Sequence, residues 1–152
     1  MTATFHLALT ADFFDAAGQS HYRDIGLSIL EREAGISWRP LAEHHAEIQA
    51  EQLAGAHGVL VLAPRVTARS LERSDDLLAL ARFGVGYDSV DVSACTAADV
   101  VLTIAAGAVD RPMAEATLTW LLALTHHVRV KDRLVRDGRW HDRNGYMGCE
   151  LR

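Results

Sequence analysis

The sequence has few of the residues and patterns that mark several classes of protein. Its 152 residues include two cysteines, Cys95 and Cys149, too few for a disulfide framework and without metal-binding spacing. We expect one of them to be a small buried side chain and the other an exposed thiol near the end of the chain. A reducing, cytoplasmic location is therefore expected.

Long apolar runs and a positive balance of charge are also missing. No apolar run approaches the ~20 residues that a membrane-spanning helix needs, and the opening residues MTATFHLALTADFF lack the basic start and the small-residue cleavage site of a signal peptide. The net charge of −5 argues against general nucleic-acid binding. The basic run from Arg129 to Arg143 is interrupted by acids and is interpreted as a solvated helix end. Neither a membrane nor a nucleic acid is an expected partner.

The spacings typical of metal sites and activated nucleophiles do not occur. The histidine pairs at 44–45 and 126–127 are adjacent residues, which do not share a helix face, and no His-x-x-x-His or Glu-x-x-His spacing is present. We expect no metal site. No Gly-x-Ser-x-Gly elbow is present either, although composition alone leaves a Ser-His-Asp triad open.

What the sequence does contain is a fivefold alternation of apolar strands and helices, in a chain that is 49% hydrophobic and long enough for a real core. The predicted strands are Phe5–Leu9, Ile36–Trp38 (ended by Pro40), Gly58–Leu62, Leu77–Phe83 and Val100–Ile104. The predicted helices are Tyr22–Ala34, with Ser20 as its cap, Ala46–Ala54, Thr67–Arg73 and Val92–Ala98, which starts at Asp91. This pattern predicts an α/β fold, a five-stranded parallel sheet with helices on both faces.

Two other five-stranded folds fit the sequence poorly. A phosphoacceptor receiver domain needs an aspartate at the end of the third strand, where Leu62-Ala63-Pro64 stands. A flavodoxin needs a loop rich in Ser, Thr and Gly after the first strand, and residues 10–14, TADFF, do not supply one.

A glycine turn, Gly84-Val85-Gly86, follows the fourth strand. Glycines let backbone N–H groups approach a bound anion, because no Cβ stands in the way. A dinucleotide loop would need Gly or Ala where Ser89 stands, and an acid closing the next strand, which Asp110 does not do. We interpret the turn as an anion-binding turn, with an unliganded strand-to-helix turn as the alternative.

The last part of the chain differs from the rest. A small-residue joint, Ala105 to Ala108, precedes a predicted helix over Pro112–Asp137, roughly 39 Å long. Its middle, Leu118–Leu124, is apolar almost all round, which predicts burial against another domain or subunit.

Four segments, ARFGVGYDSVD, VVLTIAAG, PMAEATLTWLLALTHHV and VRDGRW, give residues 77–140 a resemblance to the D-isomer-specific 2-hydroxyacid dehydrogenases. The resemblance implies a two-domain enzyme that transfers a hydride between NAD or NADP and a small 2-hydroxy or 2-keto acid. It implies that residues 1–108 form a flavodoxin-like substrate-binding domain. Residues 109–152 would then be the helix that leads toward a Rossmann domain and joins a homodimer through 112–137.

The resemblance also assigns roles to residues of this sequence. The N–H groups of Val85 and Gly86 would hold the substrate carboxylate, Gly84 would shape the turn and Tyr87 would lie nearby. Met113 would be a cofactor contact.

One departure concerns the substrate. Phosphoglycerate dehydrogenases carry Arg-Ser near the end of the third strand, where Leu62-Ala63 stands, which counts against that substrate and leaves Arg65 as a substrate contact from a shifted position.

The family's catalytic Arg, Glu and His and its cofactor loop would lie beyond residue 152, so no catalytic residue is assigned and the chain is expected to be inactive alone. The alternative is a stand-alone carboxylate-binding or dimerisation module without catalysis.

Overall fold

The computed structural model describes residues 4–151, and the chain divides after Gly107 into two compact units. The strands of the first unit are β1 (Phe5–Leu9), β2 (Ile36–Pro40), β3 (Gly58–Val61), β4 (Ala79–Arg82) and β5 (Val101–Ile104). Its α-helices are α1 (Leu27–Glu31) and α2 (Val92–Ala97), and its 3₁₀ turns are Ala11–Phe13, Ala50–Leu53 and Arg69–Leu71. The second unit contains α3 (Asp110–Thr125), α4 (Val128–Arg136) and a 3₁₀ segment, Trp140–Tyr146.

The five strands form one parallel sheet in the order β2-β1-β3-β4-β5, the strand order of flavodoxin-like folds. The α/β class and the five-stranded parallel sheet are confirmed. A row of paired residues across the central strands, Ala8, Val59 and Leu80, has no exposed surface. Such a row is what strands buried on both faces require, and it explains why β3 reads as an unbroken apolar run.

The edge strand β2 extends through Pro40, which was expected to end it. Pro40 pairs in register with Leu9. Because β2 lies at the edge of the sheet, the missing N–H of proline leaves no ladder hydrogen bond unmade on a neighbouring strand.

The predicted helix over Tyr22–Ala34 was too long at both ends, since α1 covers only Leu27–Glu31. The Asp24 carboxylate accepts the N–H of Gly26 (2.8 Å), and Gly26 has φ +80°, so the chain becomes helical only at Leu27. Ser20 closes a local turn by accepting the N–H of Tyr22 (3.1 Å) and is not a helix cap.

The predicted helix over Ala46–Ala54 is reduced to the 3₁₀ turn Ala50–Leu53 because its first residues pair elsewhere. The N–H of Ile48 donates to the carbonyl of Arg65, and the N–H of Arg65 donates to the carbonyl of Ala46, both at 2.9 Å. These bonds take the backbone of 46–48 into a short parallel bridge. The predicted helix over Thr67–Arg73 is likewise only the turn Arg69–Leu71.

The single long helix predicted over Pro112–Asp137 is two helices. His127 has φ +52°, a left-handed conformation that histidine adopts more readily than most residues. The carbonyl of Thr125, which a continuous helix would use internally, instead accepts the N–H of Cys149 (3.1 Å). The chain after α4 therefore returns to the break between α3 and α4 and donates a hydrogen bond to its free carbonyl. Gly138, with φ +68°, follows the end of α4 as expected.

The two cysteines are placed as expected. Cys95 is 1% exposed in the core of the first unit, and Cys149 is exposed. Over residues 4–151, no helix combines the length and the apolar character needed to cross a membrane.

Candidate anion-binding site

The glycine turn lies at the carboxyl end of β4 and is fastened to both neighbouring strands. The N–H of Phe83 donates to the carbonyl of Val61 (2.8 Å), at the end of β3. The carbonyl of Gly84 accepts the N–H of Ala105 (2.9 Å), just after β5. The turn is therefore held as an extension of the sheet and is not a loose loop.

Three consecutive backbone donors in this turn are unused. The N–H groups of Val85, Gly86 and Tyr87 have no acceptor within the described part of the chain, and all three residues are exposed. Gly86 leaves space in front of them, because a Cβ built there would meet only the Asp88 Oδ2 atom, at 4.0 Å. Neighbouring free N–H groups at a glycine turn form an anion-binding concavity. The structure thus brings together Gly84, Val85, Gly86 and Tyr87, all four predicted from the sequence.

Arg82, which the sequence analysis did not single out, adds a positive charge to the turn. Its guanidinium lies against Gly84, where an added Cβ would collide with it, and it donates to the carbonyl of Phe83. Its Nε is enclosed without a partner. The sequence signal for Arg82 was its position as the charged last residue of an otherwise apolar strand. The carboxyl ends of parallel strands meet at one edge of the sheet, where ligands bind.

Asp12 lies at the same edge of the sheet, after β1. Its Oδ2 accepts the N–H of Ala63 (2.9 Å), just after β3, while its Oδ1 is enclosed without a partner. The strand order reverses between β1 and β3, and ligands of open α/β sheets bind in the crevice at such a point. The sequence pattern gave Asp12 no role in the site.

Three aromatic rings connect the loop after β1 to the end of β4. The buried ring of Phe13 contacts Phe83 (ring centroids 5.1 Å apart) and Tyr22 (6.3 Å), and Tyr22 contacts Phe83 (5.8 Å). This cluster holds the backbone next to Asp12 close to the entrance of the glycine turn.

Arg65 lies in a segment beside the exit of the turn. The next residue, Val66, donates its N–H to Ser89 (2.8 Å) and accepts the N–H of Asp91 (2.9 Å). The Arg65 side chain is exposed, and among residues 4–151 no hydrogen bond or ion pair involves its guanidinium.

Met113 lies in the first turn of α3, in the second unit, and is 54% exposed.

The N-terminus of the helix that follows the turn is capped by a carboxylate. The Asp91 carboxylate occupies that end of α2 by accepting the N–H of Ala94 (2.9 Å). A second anion there would be repelled by the Asp91 carboxylate, which already takes the N–H of Ala94. The capped end of α2 is therefore a poor fit for the pyrophosphate of a dinucleotide.

Burial raises the pKa of the Cys95 thiol, and the nearby Asp91 carboxylate raises it further. A thiol with a raised pKa is a poor nucleophile at neutral pH. Within residues 4–151 there is no group of three His, Cys, Asp or Glu side chains arranged to hold a metal ion.

The fold and the turn define a parallel α/β unit with unused backbone donors at the carboxyl edge of its sheet. Residues 18–143 match the family described as D-isomer specific 2-hydroxyacid dehydrogenase, catalytic domain, and the chain belongs to this family.

Two relatives agree with this assignment, and a solved structure has the same fold. The chain is 33% identical over 88 residues to the D-3-phosphoglycerate dehydrogenase of Archaeoglobus fulgidus, covering 58% of this chain and 16% of that protein. It is 30% identical over 144 residues to the (S)-sulfolactate dehydrogenase of Chromohalobacter salexigens, covering 93% of this chain and 43% of that protein. The structure of an NAD-dependent formate dehydrogenase from Staphylococcus aureus in complex with NAD superposes with a TM-score of 0.73 at 19% identity, over 97% of this chain and 46% of that one. The chain thus spans less than half the length of each of these three proteins.

Proposed function

We propose that this chain is the substrate-binding part of an NAD(P)-dependent 2-hydroxyacid dehydrogenase, and that the turn Gly84–Tyr87 holds the substrate carboxylate. The observation that carries the proposal is the set of three unused N–H groups on exposed residues, in a turn whose Gly84 is in contact with the Arg82 guanidinium. Charge-assisted hydrogen bonds from such donors favour a carboxylate over a neutral group. Arg65, beside the exit of the turn, is proposed as a second positive group toward the substrate.

The proposal assigns the redox chemistry to the nicotinamide cofactor, which passes a hydride to or from the C2 carbon of the acid. Because Asp91 fills the helix end after the glycine turn, the cofactor loop is proposed to come from outside these 152 residues. The same holds for the substrate-polarising Arg and for the acid and base residues. Met113 is proposed as a contact of this chain with the cofactor. The isolated chain is then expected to have no turnover.

We also propose that α3 joins two copies of the protein. Its side chains Leu118, Trp120 and Leu124 are 57%, 65% and 75% exposed in this chain, and none of its residues is buried. A contiguous apolar surface of this kind is typical of a protein–protein interface.

The test of carboxylate binding is a titration followed by the backbone amide resonances of the ¹⁵N-labelled chain. D-lactate is expected to shift the amides of Val85, Gly86 and Tyr87, and lactamide, its uncharged counterpart, is not. Lactate shifts that lie elsewhere, or equal shifts with lactamide, would contradict the proposal.

A parallel assay of NADH and NADPH oxidation with glyoxylate, hydroxypyruvate or pyruvate is expected to show no turnover. Measurable turnover by the pure chain would show that the catalytic groups are within these residues.

A further inference from the structure

Asn144 is the only asparagine in the sequence, and a glycine follows it directly. Both residues are exposed, in the 3₁₀ segment Trp140–Tyr146. Runs of 3₁₀ helix of this length are uncommon, because their hydrogen-bond geometry is poorer than that of an α-helix. The segment that contains Asn144 is therefore expected to open easily.

The side chain of Asn144 is free between two neighbours that are held in place. The Asp142 carboxylate accepts a hydrogen bond from Arg139 Nη2 (2.8 Å). The Arg143 guanidinium donates to the carbonyl of Trp140 (3.2 Å) and lies 5.1 Å from the centre of its ring. Within residues 4–151, by contrast, no hydrogen bond occupies the side-chain amide of Asn144. This amide can therefore turn toward the backbone of the residue that follows it.

Gly145 leaves its own backbone nitrogen accessible to that side chain. Apart from its neighbours along the chain, no atom of the residues that the structure describes lies within 4 Å of a Cβ built on Gly145. Without a side chain, glycine neither shields its nitrogen nor restricts the backbone rotation that brings this nitrogen toward Asn144. The Gly145 nitrogen can therefore reach the Cγ atom of Asn144 when the segment opens.

We propose that Asn144 is a modification site that loses its side-chain amide spontaneously, and that one product loosens the chain after it. The nitrogen of Gly145 gives its proton to solvent and attacks the Cγ atom of Asn144. The N–Cγ bond forms, the Cγ–Nδ2 bond breaks, and ammonia leaves behind a succinimide ring. Water then opens the ring at either carbonyl carbon, giving aspartate when it adds to Cγ and isoaspartate when it adds to the main-chain carbon. Overall, the amide and one water become a carboxylic acid and ammonia, with no change of oxidation state.

The isoaspartate product changes the chain that closes the break between α3 and α4. It carries the main chain through Cγ and so adds one carbon atom to the backbone ahead of Gly145. Beyond this point the N–H of Cys149 donates to the carbonyl of Thr125 (3.1 Å). Gly148 lies so close to His126 that an added Cβ would be 2.6 Å from the Nδ1 atom of that ring. A lengthened backbone displaces this close packing, so the bond from Cys149 is expected to weaken.

The experiment follows the intact mass of the whole chain during incubation in a mildly alkaline buffer. Loss of the amide raises the mass by one unit, and peptide mapping is expected to place the change at Asn144. A synthetic peptide of residues 141–148, which has no fold to protect it, serves as the clock. The folded chain is expected to show the mass increase by the time the peptide is fully converted. A chain of unchanged mass at that time would show that the fold protects Asn144, and the proposal would fail.

Two variants test whether this residue pair is the source of the mass increase. Asn144→Gln keeps an amide but would have to close a larger ring, so the mass increase is expected to disappear. Gly145→Ala adds a single Cβ in open space and is expected to fold normally and to slow the reaction. A mass increase that persists in Asn144→Gln would come from another amide and would overturn the assignment.

Amide hydrogen exchange at Cys149 tests the structural effect. The isoaspartate fraction is expected to exchange this N–H faster than the fresh chain does. Asn144→Asp is the matched control, because it adds the same charge without the extra backbone carbon, and it is expected to exchange like the fresh chain. Unchanged exchange in the isoaspartate fraction, or equally fast exchange in Asn144→Asp, would overturn the role given to the lengthened backbone.

Discussion

The buried ring of Phe13 meets the ring of Phe83 nearly edge-on, with an interplanar angle of 78° and 5.1 Å between the centroids. Edge-to-face pairs of this kind add to the free energy gained by burying the rings. This contact joins the loop that carries Asp12 to the end of β4, where the glycine turn begins.

Phe13→Ala is therefore expected to lower the free energy of unfolding by about 3–5 kcal/mol, as for other fully buried phenylalanines. Urea unfolding monitored by circular dichroism measures this change. The matched control is Phe14→Ala, because Phe14 is only partly buried and is expected to cost clearly less. Equal losses for the two variants would show that the Phe13 ring is not the element that joins the loops.

Gly84→Ala is expected to destabilise the first unit by more than about 1 kcal/mol, because alanine is strained where the backbone has positive φ. Gly84 has φ +154°, and the added Cβ would also meet the Arg82 guanidinium. Gly86→Ala is the control, since Gly86 has neither a positive φ nor a crowded Cβ position. Thermal unfolding of the two variants compares them, and equal losses would contradict the geometry described for the turn.

The parts of this fold that were predictable from sequence are those set by local pattern. The apolar runs of β1, β3 and β5 predict strands directly, and the glycines at 84 and 86 mark the turn that is proposed to hold the substrate carboxylate. The lengths of the helices predicted after β1 and β2 were overestimated. Their ends are set by hydrogen bonds that hydrophobic periodicity does not reveal. Asp24 closes a turn onto Gly26, and Arg65 pairs with the backbone around Glu47.

The site was predictable only where the backbone itself forms it. Arg82 and Asp12 enter through side-chain positions that depend on the strand order, which brings the ends of β1, β3 and β4 to one edge. The break at His127 was missed for a similar reason. Cys149, whose N–H bonds to the carbonyl of Thr125 at this break, lies 22 positions after His127 in the chain.

The two thiols are expected to differ sharply in reactivity. Cys149 is exposed, whereas Cys95 is 1% exposed and has a raised pKa. A raised pKa lowers the thiolate fraction at any given pH, so Cys95 requires a higher pH as well as an opening of the core. Iodoacetamide labelling between pH 7 and 9, followed by mass spectrometry, should modify Cys149 first and Cys95 only on unfolding. Labelling of Cys95 at the rate of Cys149 in the folded chain would contradict its placement in the core.

His127→Gly is expected to stabilise the joint between α3 and α4, by up to about 1 kcal/mol, because glycine adopts the left-handed region without a Cβ clash. The loss of the edge-on contact between the rings of His127 and Tyr146 opposes this gain. Amide hydrogen exchange in α4 measures the net effect. His127→Val, whose branched side chain disfavours this conformation, should accelerate exchange, and slower exchange in that variant would argue that the helix is continuous.

Leu124→Arg tests the proposal that α3 joins two copies of the protein. Leu124 is 75% exposed on the chain alone, and in a twofold interface one substitution places two guanidinium groups in the apolar contact. Burying unpaired charges there is strongly unfavourable, so the variant is expected to sediment as a monomer and the unsubstituted chain as a dimer. Val135→Arg, at a 58% exposed position on α4, adds the same charge and is expected to leave the dimer intact. A monomeric unsubstituted chain that stays in solution, or a dimer that survives Leu124→Arg, would exclude this surface as the interface.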